Sequence, residues 1–210
     1  MKLLLTLCFT CALLITAESL NCHVCANQNC STSTSVACPA FSVCSTVTLL
    51  RRSGTSTTVT VNKNCSTLPS CPSLLGSETE WSVNQGFARE ARRQLCCITN
   101  DCNMRTLAVP NSVINGRQCP GCASSAESLN GSCNATVSCE GVEDRCFNST
   151  TLNSTQLMIR GCISNNLCVL QAIFGDLLSG SIDITCGAPC SYRMSTLLLT
   201  FAVAAHKVLL

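Results

Sequence analysis

Aromatic residues and charges are both scarce in this chain of 210 residues. It has one Trp, one Tyr and six Phe, and charged residues occupy 11% of its positions. So few large side chains can bury only a thin core, and a domain of that kind needs cross-links to be stable. No basic stretch is long enough, or sufficiently interspersed with aromatic residues, to indicate nucleic-acid binding.

The residues of acid–base catalysis are also few. The chain has two histidines, His206 near its end and His23 between two cysteines. Glu143 and Asp144 are the only adjacent carboxylates, and adjacent side chains on a strand point to opposite faces. That geometry suits general acid–base catalysis poorly. The sequence therefore predicts a non-enzymatic protein that uses no cofactor and no metal.

Cysteine, by contrast, is abundant. The 21 cysteines are a tenth of the chain, which is the composition of a disulfide scaffold. Disulfides persist in oxidising compartments, so the sequence predicts passage through the secretory pathway. In that setting the Cys-x-x-Cys pairs are interpreted as oxidised structural cysteines rather than as zinc or thiol-redox motifs.

Both ends of the chain carry targeting signals. Residues 1–19 have a positive start, an apolar segment and small residues before the expected cleavage point, as a signal peptide does. Residues 197–205 form an apolar run that is too short to span a bilayer. Because a polar spacer precedes this run, the sequence predicts a glycosylphosphatidylinositol (GPI) anchor, with residues 188–210 removed as a propeptide. Gly187 is the expected attachment site, and Cys190 and Ser191 are alternatives.

The number of cysteines favours Gly187. Removal of residues 1–19 leaves 19 cysteines, which is an odd number. Cleavage after Gly187 removes Cys190 as well and leaves 18, which can all pair.

The remaining cysteines form two repeats. The first repeat ends in Cys96-Cys97-Ile98-Thr99-Asn100-Asp101-Cys102-Asn103, and the second opens with Cys119-Pro120-Gly121-Cys122, spaced like Cys22 and Cys25. The interval from Cys162 to Cys168 equals that from Cys65 to Cys71, which aligns the repeats. Residues 108–118 contain no cysteine and include Pro, Asn and Gly, so a linker is expected there.

The start at Leu20–Cys25 and the ending at Cys96–Asn103 resemble the three-finger domain of the lymphocyte-antigen-6/urokinase-receptor family. The resemblance implies an all-β, disulfide-rich fold of two tandem three-finger (snake-toxin-like) domains, at residues 20–107 and 119–187. The resemblance further implies that Asn103 is the asparagine that family members tie into the cross-linked hub. The implied disulfides are Cys22–Cys44, Cys25–Cys30, Cys38–Cys65, Cys71–Cys96, Cys97–Cys102, Cys119–Cys146, Cys122–Cys133, Cys139–Cys162 and Cys168–Cys186. The second repeat departs from the family because Gly187 follows Cys186 and no Cys-Asn ending comes after it.

Alternating Val and Thr residues predict hairpins between the cysteines. Strands are expected at 43–50 and 57–61 around a turn at 51–55, and further hairpins at 147–159 and 169–185. Residues 72–95 are expected to form a longer, less regular loop. The apolar side chains of residues 169–178 are expected to be buried, and an apolar ligand groove is the alternative.

Three side chains are candidates for partner binding. Arg51 and Arg52 would lie at a fingertip, where they either contact an acidic partner or serve solubility. Trp81 either packs on the core or, if it is exposed, is a hot-spot candidate. The charge of residues 20–118 is +4 and that of residues 119–187 is −4. The two halves are separately solvated, or they dock by electrostatic attraction, or one half faces an acidic partner.

Six Asn-x-Ser/Thr sequons fit an extracellular fate, and some of them are expected to carry glycan. They are Asn29, Asn64, Asn130, Asn134, Asn148 and Asn153.

The family resemblance implies a cell-surface glycoprotein that binds an extracellular or cell-surface protein through its fingers, in a receptor, adhesion or gamete-surface role. Its location would be the outer leaflet of the plasma membrane. One alternative is a soluble secreted inhibitor resembling the gamma-type phospholipase inhibitors. Another is a passive surface coat whose glycans matter more than its fingers.

Overall fold

The computed structural model describes residues 19–27, 29–71, 74–151, 158–169, 182–189 and 191–192. The signal segment 1–18, the sequon at Asn153, Cys190 and the tail from residue 193 lie outside the described residues, as does most of the predicted hairpin at 169–185. In the described part no helix is long and apolar enough to cross a membrane.

Strands dominate the described chain, so the all-β, disulfide-rich fold class is confirmed. The strands are β1 (Asn21–Cys25), β2 (Ser33–Ala37), β3 (Ser42–Ser53), β4 (Ser56–Thr67), β5 (Glu78–Asn84), β6 (Ala88–Cys97), β7 (Ile114–Gly121), β8 (Ala135–Glu140), β9 (Glu143–Thr151), β10 (Met158–Ser164), β11 (Ile182–Pro189) and β12 (Ser191–Tyr192). Two short α-helices, α1 (Ser125–Asn130) and α2 (Asn165–Val169), and a 3-10 turn at Leu68–Ser70 complete the described elements.

The first repeat forms three antiparallel hairpins, β1–β2, β3–β4 and β5–β6. The strands predicted at 43–50 and 57–61 lie within β3 and β4. The interpretation of residues 72–95 as an irregular loop was wrong, since most of them form the regular pair β5–β6. Strand β6 reads Ala-Arg-Glu-Ala-Arg-Arg-Gln-Leu-Cys-Cys, which lacks the simple alternation of polar and apolar residues that would predict a strand.

A single seven-stranded sheet runs through both repeats in the order β11-β9-β10-β5-β6-β3-β4. The repeats join where β10 pairs with β5, Cys162 opposite Asn84 and Ile163 opposite Val83. The largest apolar cluster lies across this junction and is made of Trp81, Val83, Phe147, Ile159, Ile163 and Leu167. The thin core is therefore shared between the repeats.

Two glycines permit the close approach of the repeats. A Cβ at Gly161 would lie 1.8 Å from the carbonyl oxygen of Asn84. A Cβ at Gly86 would lie 2.4 Å from the carbonyl oxygen of Cys122, and Gly86 also has a φ of +95°. Only glycine fits at such positions.

The predicted linker is short and structured. Strand β7 begins at Ile114, inside the range expected to be linker, and Leu107 before it is buried. The side chain of Thr48 donates to the Leu107 carbonyl at 2.9 Å. A connection held in this way restricts the repeats relative to one another.

Nine disulfides cross-link the described chain, and they join the same cysteines that the family resemblance pairs. In the second repeat the chain beyond Gly187 continues as β12, where Ser191 lies opposite Gln118 of β7. This strand pair lies at the position of the last cysteine loop of the family, which the second repeat lacks.

Asn103 is the polar centre of the first hub. It is fully buried, its Oδ1 accepts from the His23 amide at 2.8 Å, and its Nδ2 donates to the carbonyls of His23 at 2.8 Å and Ser45 at 3.0 Å. The side chain thereby ties β1 to β3 through backbone groups that would otherwise be buried without partners.

Replacing Asn103 by Ala should lower the free energy of unfolding by about 3 kcal/mol, since three buried hydrogen bonds each contribute about 1 kcal/mol. Denaturant unfolding with the disulfides intact measures the change. Asn100→Ala is the matched control, because the exposed Asn100 side chain accepts from one amide, that of Asn21, at 2.9 Å. Equal losses for the two variants would contradict the role assigned to Asn103.

Candidate functional site

The three predicted binding residues have different surroundings. Trp81 is 5% exposed, packs in the core shared by the repeats, and has the Arg92 guanidinium 4.8 Å above its ring. Of its two interpretations, core packing holds and the exposed hot spot does not. Arg51 and Arg52 belong to β3 itself, and the turn beyond them is Gly54-Thr55. Arg51 is exposed and pairs with Glu90 at 2.8 Å.

Arg52 does not lie free at a fingertip. Its Nη2 donates to Oε1 of Glu140, in the second repeat, at 2.7 Å. The neighbouring tip, Gln85–Phe87, also meets the second repeat, since the Cys122 amide donates to the Gln85 carbonyl at 3.3 Å. Two of the three fingertips of the first repeat are therefore occupied within the molecule.

A buried ion pair lies at the centre of this contact. Arg89 of β6 and Glu143 of β9 are both 0% exposed, and Arg89 Nε donates to Glu143 Oε1 at 2.7 Å. Arg89 Nη1 lies 3.2 Å from Glu140 Oε2 and also donates to Ser112 Oγ at 3.0 Å. Its Nη2 donates to the Asn111 carbonyl at 2.8 Å, so every nitrogen of the guanidinium has a partner.

The carboxylate of Glu143 is equally well satisfied. Ser82 Oγ donates to Oε1 at 2.6 Å, and Asn84 Nδ2 and the Glu140 amide donate to Oε2 at 3.3 and 2.8 Å. A buried ion pair is stable only when such additional hydrogen bonds offset the loss of hydration. Of the three interpretations of the charge difference between the halves, the structure therefore favours docking by attraction.

Catalytic geometry is not found among the described residues. Ser33 Oγ lies 3.1 Å from His23 Nδ1, but His23 Nε2 is 3.7 Å from Asp101 Oδ1, which already accepts from Ser35 Oγ at 2.6 Å. These contacts fasten the β1–β2 hairpin to the hub. Among the described residues, two groups of three cysteines lie close enough to hold a metal ion, but every member is disulfide-bonded. One group is Cys22, Cys38 and Cys65, and the other is Cys119, Cys139 and Cys162. A thiolate ligand is absent from both groups.

Lys63 is the one described group with a resolved change of pKa. Its ammonium group donates to the Met104 carbonyl, and burial lowers the pKa of the amine because the charged form loses hydration. Lys63 thus holds the start of the connecting segment against β4.

The described sequons differ in accessibility. Asn29, Asn130, Asn134 and Asn148 are exposed. Asn64 is half-buried, and its Oδ1 accepts from Ser66 Oγ at 2.8 Å and from Ser45 Oγ. Glycan at any of these positions stays a prediction, and so does the lipid at Gly187, which is exposed in β11.

An apolar surface that the sequence pattern did not reveal lies at the hub end of the first repeat. Phe41 is 96% exposed, Leu74 81% and Leu68 56%. Phe41 also has a φ of +63°, which is rare for a residue with a Cβ. The pairing of Ser42 with Thr67 places Phe41 beside Leu68. We call these three residues the hub-end patch.

The stretches of sequence that contain the hub-end patch residues carry no charge. Residues 31–50 and 64–77 contain no Asp, Glu, Lys or Arg. Large apolar side chains exposed at one end of a domain, within uncharged stretches of sequence, are typical of an interaction surface. The sequence did contain a signal for the exposure of Phe41. A Phe in the Pro-Ala-Phe turn between two strands has no core to enter.

Comparison with known proteins gives one curated relative. The chain is 26% identical over 129 residues to the urokinase plasminogen activator surface receptor of Aotus trivirgatus. The match covers 59% of this chain and 36% of the relative, so the chain spans about a third of the receptor's length. No family model matches the chain.

Among solved structures, the chain is similar to the crystal structure of mouse TEX101. The sequence identity is 20%, and the alignment covers 81% of this chain and 91% of that one with a TM-score of 0.30. A TM-score this low carries no argument about shared geometry.

Replacing Arg89 by Met should lower the free energy of unfolding by about 3–5 kcal/mol, because Glu143 is left buried without its cation. Arg51→Met removes a cation of the same kind from an exposed pair and should cost less than about 1 kcal/mol. Chemical denaturation of both variants and the parent measures the difference. A loss at Arg89 no larger than that at Arg51 would contradict the role of the buried pair.

Proposed function

We propose that this chain, a member of the lymphocyte-antigen-6/urokinase-receptor family, is a lipid-anchored glycoprotein of the outer cell surface that binds an extracellular protein. Family membership is supported by the curated match together with nine disulfides in an all-β framework. The relative is by name a surface receptor, which supports a non-enzymatic, cell-surface role for this chain. The ligand of that receptor is not proposed as the partner of this chain, because the match covers 36% of the receptor.

The observation that carries the binding proposal is the hub-end patch. Phe41, Leu68 and Leu74 expose apolar side chains that a folded monomer gains nothing by presenting to water. Aromatic and aliphatic anchors of this kind supply most of the energy of protein interfaces. The partner surface is accordingly expected to be apolar and uncharged where it meets Phe41.

The rigidity of the molecule supports the same function. The disulfides cross-link each repeat internally, and the shared sheet and the buried ion pair hold the two repeats in one arrangement before any partner arrives. Binding to such a surface loses little conformational entropy. The fingertip mode of binding expected from the family is replaced in this proposal, because the tips at Arg52 and Gly86 already contact the second repeat.

The proposed lipid attachment site, Gly187, and the hub-end patch lie at opposite ends of the sheet. Gly187 follows Cys186, which lies opposite Phe147 at the second hub, beside the tips of the first repeat. Phe41 lies beyond the other end of β3, about ten residues or roughly 30 Å further along the sheet. A lipid at Gly187 would therefore leave the patch facing away from the bilayer, where a partner can reach it.

Phosphatidylinositol-specific phospholipase C should release the protein from expressing cells, because the enzyme cleaves the proposed anchor. The intact mass of the released chain should fit residues 20–187 with an anchor remnant, with all 18 cysteines oxidised. An untreated culture is the control. Secretion of a chain that retains Cys190 would contradict the anchor and favour the soluble-inhibitor alternative.

Phe41→Ala should abolish partner binding at the hub-end patch without loss of stability, since the side chain makes no buried contact. A fluorescent, lipase-released form of the parent should stain partner-bearing cells at least tenfold better than the variant. Val113→Ala, at an exposed apolar residue in the connecting segment, is the matched control and should bind as the parent does. Equal binding by all three proteins would contradict the patch as the binding surface.

A further inference from the structure

The two edges of the seven-stranded sheet are protected to different degrees. At one edge, β11 carries the charged residue Asp183 within the part of the strand that precedes Gly187. Charge, proline and irregular register are the devices by which natural edge strands avoid further pairing. This edge therefore discourages the addition of a strand.

At the opposite edge, residues 56–62 of β4 have none of these devices, and Lys63 is the one charged residue of the strand. Strand β4 pairs only with β3, and the twelve-residue register is unbroken from Ser53–Ser56 to Ser42–Thr67. Residues 56–62 are Ser-Thr-Thr-Val-Thr-Val-Asn, which contains no charge and no proline and has high β propensity. All of residues 56–60 are exposed.

The register identifies the backbone groups that face outward. Ser53 and Ser56 flank a two-residue turn and so form a hydrogen-bonded pair, and such pairs recur at every second residue. The amides and carbonyls of Thr57, Val59, Val61 and Lys63 consequently point away from β3. In agreement, Cys25 Sγ lies 3.0 Å from the Lys63 amide, which donates to it, and 3.9 Å from the Val61 carbonyl.

Beyond the reach of Cys25, the edge is open. Within the described part of the chain, the outward amides and carbonyls of Thr57 and Val59 have no hydrogen-bond partner. Their hydrogen bonds can be completed by water or by another extended backbone. Next to them a groove of about 610 Å³ lies between β1 and β4 and is lined by Val24–Asn27 and Thr60–Asn64.

We infer that the free edge of β4 accepts an extended, uncharged segment of a partner protein as an eighth strand. The segment pairs with Thr57 and Val59 and places its next side chain in the groove between β1 and β4. Backbone bonds supply the attachment and the groove selects the side chain, as in other strand-addition complexes. This inference rests on the proposed binding function and names the kind of segment that the partner contributes.

A second copy of this chain fits the edge less well. The open stretch of five residues is about 17 Å long. Pairing of two such edges buries far less than the roughly 1,200 Å² of a stable interface. A partner segment that continues into the groove is not limited in this way, because it contacts β1 as well.

The test uses protein purified from expressing cells and freed of N-glycans, so that a glycan at Asn64 cannot decide the result. The probe is a fluorophore-labelled, end-capped peptide of alternating Val and Thr, eight residues long. Fluorescence anisotropy should show saturable binding. The same peptide with every amide N-methylated should bind at least tenfold more weakly, because neither of its edges can then donate hydrogen bonds to β4.

Val59→Pro removes an outward amide that β3 does not use, and proline is tolerated at such edge positions. This variant should lose at least tenfold in peptide affinity, whereas the matched Val59→Thr, which keeps the amide, should stay within twofold of the parent. On peptide binding, hydrogen exchange should slow at least tenfold at Thr57 and Val59 and stay unchanged at Thr58 and Thr60.

Three results would overturn the inference. They are equal affinity for the methylated and unmethylated peptides, unchanged exchange at Thr57 and Val59, and a concentration-dependent dimer of the protein that Val59→Pro abolishes, which would assign the edge to a second copy. None of these depends on the lipid anchor, so failure here is distinguishable from failure of the lipase experiment.

Discussion

The arrangement of the molecule depends on the buried pair of Arg89 and Glu143. A cation and an anion that are both 0% exposed are buried by the same contact, and removing either one would leave the other buried and unpaired. The pair therefore fixes β6 of the first repeat against β9 of the second, and the β5–β10 pairing and shared apolar cluster form around the same contact. Arg52 and Glu140 extend the contact towards the surface. Two cysteine-rich repeats, each with a thin core, thus stabilise each other.

This contact changes which surfaces are left for a partner. A three-finger domain offers its fingertips, but here the tips that carry Arg52 and Gly86 contact the second repeat. The hub-end patch and the free edge of β4 remain exposed in the first repeat, and both are uncharged. Between residues 20–118 and 119–187, Arg52 and Arg89 pair with Glu140 and Glu143, whereas the other ion pairs of the first repeat are internal to it.

The family resemblance implied the fold class and the position of Asn103 in the hub, and the Val- and Thr-rich stretches predicted the hairpin β3–β4. The regular hairpin β5–β6 was missed, since strands that pair on both sides and carry arginines lack a simple alternation. Arg89 and Glu143 are 54 positions apart, so the sequence alone could not identify them as partners. The net charges of the two halves indicated only that the halves attract each other. Phe41 left no periodic signal, because a turn residue belongs to no face of a strand.

The central claim is that the two repeats form one cooperative unit, and differential scanning calorimetry with intact disulfides tests it most directly. A single transition whose calorimetric enthalpy equals its van't Hoff enthalpy is predicted, since the sheet and the buried ion pair are broken together. Two separable transitions, or a calorimetric enthalpy well above the van't Hoff value, would contradict the claim and would mean that each repeat unfolds independently.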